Sequence, residues 1–575
     1  MGFFFTFMVE LSVVLSLIAL LIFFVFYFLY HRKSEIEDAA DAAGYESPKQ
    51  YMRDTLGERP RVLSISAFLN DDAKSIGIRY IVASLFFFFI AGTFGLTMRL
   101  SLTVPTPSLL SAQEYNVLLT EHATLMIYMW AVGSAIGFAY YLLPSHLKLK
   151  HDSRGVYASS GFWFWFMGGL MILYSRTAAR WYLYPPLALQ LSASGGGIDN
   201  WLAVIGLEAV FFGLMITSIN VILIIWKDRD PAIKWSQMSM FAWSILFTAI
   251  MIVASAPPLM VGLSMLFYDF FNPIFFTGAT HEVLLFAILF WFWGHPIVYV
   301  AVIPYFGLIY EIIPKFTNKP IYSYGSGIFG LGLLLILSEF VWGHHLLNSG
   351  LGLAWVLFYT TASFAVVVPS AITVFNYVAS LWSAEKIRLT TPMLFAINGI
   401  MDFVIGGVTG VMQSNQGINQ LVHGTYFVTG HFHFIFMGIT TGISFAAFYM
   451  LFPTLSGGRT YNVRLARLHF YFTAFGSLLM AMAWTVGGLI GMPRAVAGYL
   501  PVFQPYQDAS ILGGLIIGIG QLIFLYNIAT SWLKEPSLSL ENALEYKGDE
   551  AYNAGGVPVP NPIAAEELEN NAGGA

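Results

Sequence analysis

Thr429-Gly430-His431-Phe432-His433-Phe434 sets two histidines one residue apart inside the long apolar run 425–453. A run of that length is enough to cross a hydrocarbon core as a helix, which takes about 20 apolar residues. A helix turns by about 100° per residue, so His431 and His433 point to roughly opposite faces. A polar ring at membrane depth is costly unless it has a use, and neutral imidazole is the commonest metal ligand among side chains. The stretch therefore implies a buried helix inside a bundle of membrane helices, serving as the wall between two metal centres.

Composition agrees with this. Of the 575 residues, 57% are hydrophobic and only 10% charged, against roughly 25% charged in soluble domains. The fold class is all-α, a polytopic membrane helix bundle. The net charge of -5 says little about partners. The basic residues are not gathered into one face, which argues against nucleic acid. The absence of cysteine excludes disulfides, iron–sulfur clusters and thiolate copper sites within this chain. Residues 8–30 are too long for a cleavable signal peptide and are followed by charge, so they read as a retained span.

Thirteen spans are expected, near 8–30, 80–101, 116–144, 156–176, 201–226, 235–265, 281–313, 322–346, 351–382, 391–412, 425–453, 468–491 and 510–533. The organisation that follows is an extra N-terminal span in residues 1–30, a polar linker at 31–79, a twelve-helix core at 80–533 and a tail at 534–575. If the loop after the first span is cytoplasmic, all of the 27 Lys and Arg except Arg99, Arg176, Arg180 and Arg494 fall inside, as the positive-inside rule requires. The N-terminus is then outside and the C-terminus inside, in a multi-pass cell-membrane protein.

The twelve histidines divide on this topology. His31, His146 and His151 fall in cytoplasmic segments and read as solvated surface. His469 starts a span at the cytoplasmic edge and is expected to snorkel. His281, near the outer start of the seventh span, is ambiguous. His122, His295, His344, His345, His423, His431 and His433 come from spans of opposite direction, yet they gather toward the outer side. Unrelated core histidines would not converge in this way.

His344 and His345 can lean toward one ion if His295 supplies a third ligand, and three imidazoles without carboxylate or thiolate suit copper or zinc. Tyr299 follows His295 by four residues, on the same helix face, where a phenol is placed to give one proton and one electron. His122 and His433 can close a six-coordinate haem between them. His431 can hold a second haem with one side open toward the copper, and an open position is where a small ligand binds.

The chain here resembles the catalytic subunit of the haem–copper oxidases. The stretches that carry the resemblance are Trp293-Gly294-His295-Pro296-Ile297-Val298-Tyr299, Val341-Trp342-Gly343-His344-His345, His423 through His433, and Trp181-Tyr182-Leu183-Tyr184-Pro185-Pro186-Leu187. The resemblance implies His122 and His433 as ligands of a low-spin haem, and His431 as the ligand of a high-spin haem. It implies His295, His344 and His345 as ligands of the copper CuB, and Tyr299 as the tyrosine joined covalently to the first of them. His423 resembles a residue near a haem propionate. Pro493-Arg494-Ala495 retains one of the family's propionate arginines, with Arg99 as a further basic candidate. The haems are expected to be a-type, although ligands alone do not separate a, b and o variants. The implied reaction is reduction of O2 to water coupled to proton pumping.

Ile297 stands where A-type members usually carry Glu, and no second proton channel is evident. The chain is most similar to the B-type, archaeal-type branch, whose single channel corresponds here to Tyr310, Ser370 and Thr373 leading toward Tyr299. One family tyrosine position is Phe306, with Tyr305 adjacent. At Gly424 some relatives have an Asp that helps to bind magnesium, so no such site is expected. Glu339 is not a carboxylate the family pattern predicts. As an ionisable group at membrane depth it is a candidate for proton handling, with Glu208 and Asp402 as weaker cases. Nitric oxide reductase is the nearest alternative, and Tyr299 argues against it. A transporter with incidental histidines is the alternative from another class and predicts no haem. Quinol is favoured over cytochrome c or a blue copper protein as donor, since the extra span and the lack of cysteine fit a quinol oxidase. Subunit II, small membrane subunits and the lipid bilayer are the expected partners.

Overall fold

A computed structural model describes residues 71–149, 154–189, 199–276, 282–538 and 542. The expected span 8–30, most of the linker 31–79, most of the tail, and His31, His151 and His281 lie outside the described residues.

Among the described residues, eleven helices are long and apolar enough to cross a membrane. They are α1 (Ala73–Ser101), α2 (Ala112–His146), α3 (Gly155–Ser175), α4 (Asn200–Asp228), α5 (Met240–Asp269), α6 (Val283–Thr317), α8 (Leu353–Trp382), α9 (Thr391–Ser414), α10 (Tyr426–Leu455), α11 (Val463–Leu489) and α12 (Pro501–Trp532). The shorter apolar helix α7 (Tyr324–Ser338) comes between α6 and α8.

Local chemistry starts these helices. Asp72 caps α1 by accepting the Ser75 N–H at 3.0 Å. Just before it, the Arg79 guanidinium lies 2.9 Å from Asp71 and holds that carboxyl below its ordinary pKa. Ser111 and Glu114 form a capping box on α2, with bonds of 2.7 and 3.2 Å, satisfying amides that a helix start leaves unpaired. Thr425 caps α10 by accepting the Phe427 N–H at 3.2 Å.

Close approach of the helices relies on small residues. A Cβ on Gly77 of α1 would lie 2.6 Å from the Tyr141 amide nitrogen and 2.7 Å from the Gly137 carbonyl of α2. Gly168 and Gly206 play the same part between α3 and α4, and Gly476 and Gly513 between α11 and α12.

Four expectations need correction. The seventh expected span, 281–313, is not one unbroken helix. Its helical segments are Val283–Gly294, Pro296–Val300 and Ile303–Thr317. Pro296 and Pro304 each lack an amide hydrogen and so cannot continue the ladder. The eighth span does not carry His344 and His345 on its α-helix. α7 ends at Ser338 and the two histidines sit on a 3₁₀ turn, Trp342–Leu346. That turn is pressed onto α8 so tightly that a Cβ on Gly343 would meet the Tyr359 ring at 2.2 Å. The last span starts at Pro501 rather than 510, and its first turns bury Gln507 completely. Finally, His469 does not snorkel. α11 already begins at Val463, which draws the ring inside, where it is fully buried among Phe395, Phe445 and Phe524, with Nδ1 3.1 Å from the Tyr449 hydroxyl.

The contact at Gly77 is directly testable. Gly77→Ala forces α1 away from α2 and is expected to cost about 1–3 kcal/mol, seen as a lower unfolding midpoint in detergent. An unchanged midpoint would contradict this packing.

Candidate metal centre

α6, the turn after α7, and the start of α8 build one pocket of imidazoles. His295, at the break in α6, is buried. Its Nδ1 lies 3.3 Å from Nε2 of His345. The ring centroids of His295 and His344 are 4.5 Å apart, as are those of His344 and His345. One nitrogen from each of the three lies within 4.8 Å of the others. Nε2 of His295 is buried with no hydrogen-bond partner, and the Tyr299 ring stands 5.0 Å from the His295 ring.

The outer parts of the pocket orient these rings. Ser363 of α8 gives its hydroxyl hydrogen to the Tyr359 carbonyl at 2.6 Å, so its oxygen is left to accept from Nδ1 of His344 at 2.7 Å. That arrangement puts the proton on Nδ1 and frees Nε2, the tautomer a metal ligand needs. Trp291 stacks flat on His345 at 3.7 Å and 8°. The indole N–H of Trp291 is in turn donated to the Tyr184 hydroxyl, while Trp181 packs on Phe290 and Trp291. The aromatic loop 181–187 is thereby a brace for the helix that carries His295. Burial pushes the pKa of Tyr184 up, so its hydroxyl stays protonated.

The remaining histidines follow the same rule. Nδ1 of His122 is 2.7 Å from the Ala91 carbonyl. Nδ1 of His431 is 2.9 Å from the Gly406 carbonyl and 3.1 Å from the Thr409 hydroxyl. Nδ1 of His433 is 2.8 Å from the Thr429 carbonyl. A carbonyl only accepts, so each ring must donate from Nδ1 and keep the Nε2 lone pair for an iron. Gly95 and Gly410 leave room beside two of these rings: a Cβ there would meet His122 at 2.8 Å and His431 at 2.9 Å. His433 lies within electrostatic reach of His122, and His431 within reach of His295 and His344. The donor set fits two haem irons and one copper.

α2 and α10 each contain a π-helical turn, Leu125–Val132 and Phe434–Thr441. The turns are joined by a bond from the Trp130 indole to Thr441 at 3.1 Å. Such turns concentrate at functional sites, and here each directly follows a segment that carries His122 or His431 and His433.

Residues 75–516 match the family described as cytochrome c and quinol oxidase polypeptide I. The chain is 34% identical over 472 residues to cytochrome c oxidase subunit 1 of Thermostichus vulcanus, covering 81% of this chain and 84% of that protein. The chain belongs to this family. It is also 33% identical over 470 residues to quinol oxidase subunit 1 of Bacillus subtilis, covering 80% of this chain and 72% of that protein. Its fold is similar to that of a haem–copper terminal oxidase dimer solved by electron cryomicroscopy, with a TM-score of 0.70 at 22% identity, over 86% of this chain and 89% of that one.

Other candidates take less central places in this family member. The Arg99 guanidinium donates to the Tyr426 and Tyr115 hydroxyls and to Gln507 at 2.9, 3.2 and 3.3 Å. It also lies over Trp484 at 5.3 Å, which packs edge-on against His433 at 4.7 Å. Arg494 is half-buried, and its backbone N–H donates to the Gly424 carbonyl at 3.0 Å. Gly424 has φ +80°, a conformation glycine takes without steric cost. His423 is exposed beside this loop. Phe432 packs on His433 at 4.5 Å.

Along the expected proton line, the Tyr310 hydroxyl accepts from Asn376 at 3.1 Å. Thr373, one turn away on α8, is fully buried and donates to the Pro369 carbonyl at 2.9 Å. Ser370 lies on the same helix and is half-buried. Tyr305 faces elsewhere, toward Ser134 at 2.7 Å and the Ala131 carbonyl at 2.6 Å. Glu339 is half-buried, with one carboxylate oxygen lacking a partner. Sequence reasoning missed Ser363, Asn376, Trp291, Thr409 and the glycine clearances. None carries a sequence signal of its own, because each matters only through the histidine or tyrosine it meets across the bundle.

Ser363→Ala removes the acceptor for Nδ1 of His344. Copper affinity is expected to fall about 10–100-fold, read by competition with a chelator. Unaltered affinity would overturn the tautomer assignment.

Proposed function

We propose that the chain is the catalytic subunit of a terminal respiratory oxidase that reduces O2 to water, takes electrons from quinol, and couples the reaction to outward proton pumping. The observation that carries this reading is the cluster of His295, His344 and His345 with the Tyr299 ring beside it. A phenol in that place suits oxygen chemistry better than nitric oxide reduction. In this reading His122 and His433 hold a low-spin haem, His431 a high-spin haem, and the three clustered imidazoles CuB, both haems being a-type. When bound, these groups would pass on the donor's electrons and supply the oxygen-binding position.

The protein's own residues do the rest. Tyr299 gives a proton at its hydroxyl. The unpartnered Nε2 of His295 is the nitrogen available for a covalent join to Tyr299, since Nδ1 faces His345. Tyr310, Asn376, Thr373 and Ser370 carry protons toward Tyr299, along the line that corresponds to the channel of a B-type enzyme. Hydroxyls and amides both donate and accept there, as a relay needs. Arg99, Arg494 and His423 hold the haem edges, and Glu339 handles protons near the copper. The basic loops face the cytoplasm, with the C-terminus inside. Subunit II and small membrane subunits complete the complex. Relatives named for cytochrome c and for quinol both match, so the donor is the point an assay must decide.

A reduced-minus-oxidised optical spectrum should show two haems, and oxygen uptake should be cyanide-sensitive. A colourless protein would end the proposal. Tyr299→Phe should keep the haem spectrum and lower turnover by about 100-fold or more. Peptide mapping of the unmutated protein should find His295 and Tyr299 joined and lighter by two hydrogens. Turnover with quinol should exceed that with reduced cytochrome c, and the reverse order would replace the donor.

A further inference from the structure

Asp402 lies in the middle of α9, at a depth where a carboxyl is expensive and by default functional. It is 5% exposed. Among the described residues its one hydrogen-bond partner is the Asn398 amide, which donates to Oδ2 at 2.8 Å. It packs against the π turn of α10, where a Cβ on Gly438 would lie 2.3 Å from the Asp402 Cβ and 2.8 Å from its Oδ2. Position 438 is therefore glycine because Asp402 occupies that space.

Asp402 also belongs to a polar stripe. Thr391, Asn398, Asp402, Thr409 and Gln413 all lie on α9, and at about 100° per residue they fall within about 60° of arc. At one end of the stripe Thr409 meets His431 at 3.1 Å. The Gly406 carbonyl that also binds His431 is one turn, about 6 Å along the axis, from Asp402. At the other end, next in sequence to Lys386 and Arg388, the Thr391 and Thr390 hydroxyls are fully buried and have no hydrogen-bond partner among the described residues. Buried hydroxyls without protein partners are where ordered water binds, and more than one water is needed to bridge the gap of about 10 Å from Thr391 to Asn398.

We propose that Asp402 is a proton-holding group of this oxidase, loaded from the Lys386–Arg388 end through Thr391 and Asn398. The carboxylate takes up one proton from the Lys386–Arg388 end when one electron from the donor settles at the site that His431 lines, and it releases that proton toward the Thr409–Gln413 end when the electron leaves. Charge is thereby balanced across one helical turn. This route is separate from the Tyr310–Thr373 line on α6 and α8. A purely structural role, bracing Asn398, would be filled as well by an amide at position 402.

The proposal rests on the oxidase reading, and infrared difference spectroscopy of the complete, haem-loaded complex tests it. The reduced-minus-oxidised spectrum should contain a carboxyl C=O band. That band should vanish in Asp402→Asn with the optical haem spectrum unchanged, and should shift in Asp402→Glu. Protons translocated per electron in vesicles should fall by half or more in Asp402→Asn and recover in Asp402→Glu. Thr391→Val should slow the rise of the band several-fold. If Asp402→Asn does not assemble with haem, Asp402→Glu decides alone. A carboxyl spectrum unmoved by these substitutions, in an enzyme that still reduces oxygen, overturns the role of Asp402. A protein without haem defeats the oxidase reading instead.

Discussion

The structure depends on one kind of hydrogen bond: an imidazole Nδ1–H donated to an oxygen that can only accept. Three of these acceptors are main-chain carbonyls, at Ala91, Gly406 and Thr429. The fourth is Ser363, whose own hydrogen is already committed. In lipid the backbone must satisfy itself, so such carbonyls are rigid parts of a helix. A ring anchored to one is held in a single tautomer and orientation before any metal arrives. For His122 and His431 the carbonyl belongs to a neighbouring helix, so the helix that carries the ligand is fixed relative to the helix that supplies the acceptor, whereas His433 is anchored within its own helix. Ligand geometry and helix packing are thus the same constraint.

That constraint explains irregularities a membrane helix would otherwise avoid. The Pro296 break turns His295 toward His345, the 3₁₀ turn after Ser338 brings His344 and His345 to it, and π turns follow His122 and the His431–His433 pair. Glycines sit opposite rings and carboxyls, as Gly410 does for His431 and Gly438 for Asp402. Each departure lies beside a ligand or a buried acid, where local regularity yields to a contact from another helix.

Much of this was legible in the residues. The spacing of His431 and His433, the pair His344–His345 and the offset from His295 to Tyr299 sit on long apolar runs, so period and hydropathy suffice to read them. Span boundaries were less legible. The polar turn of Gln507 looked like loop because its partner, Arg99, is more than 400 residues away. His469 looked like an interface residue because nothing in its own neighbourhood shows that Phe395, Phe445 and Phe524 enclose it.

By itself, the sequence determined a many-helix membrane bundle, the family, and the side chains able to hold metals, because those follow from composition, periodicity and residue chemistry along one helix. Only the tertiary structure decided which nitrogen of each ring is free, which helices break, and which acid or hydroxyl lies against the site. Those depend on where carbonyls, glycines and hydroxyls of distant segments come to rest, and an atom's hydrogen-bond partner across a bundle is not encoded in the spacing of its own helix.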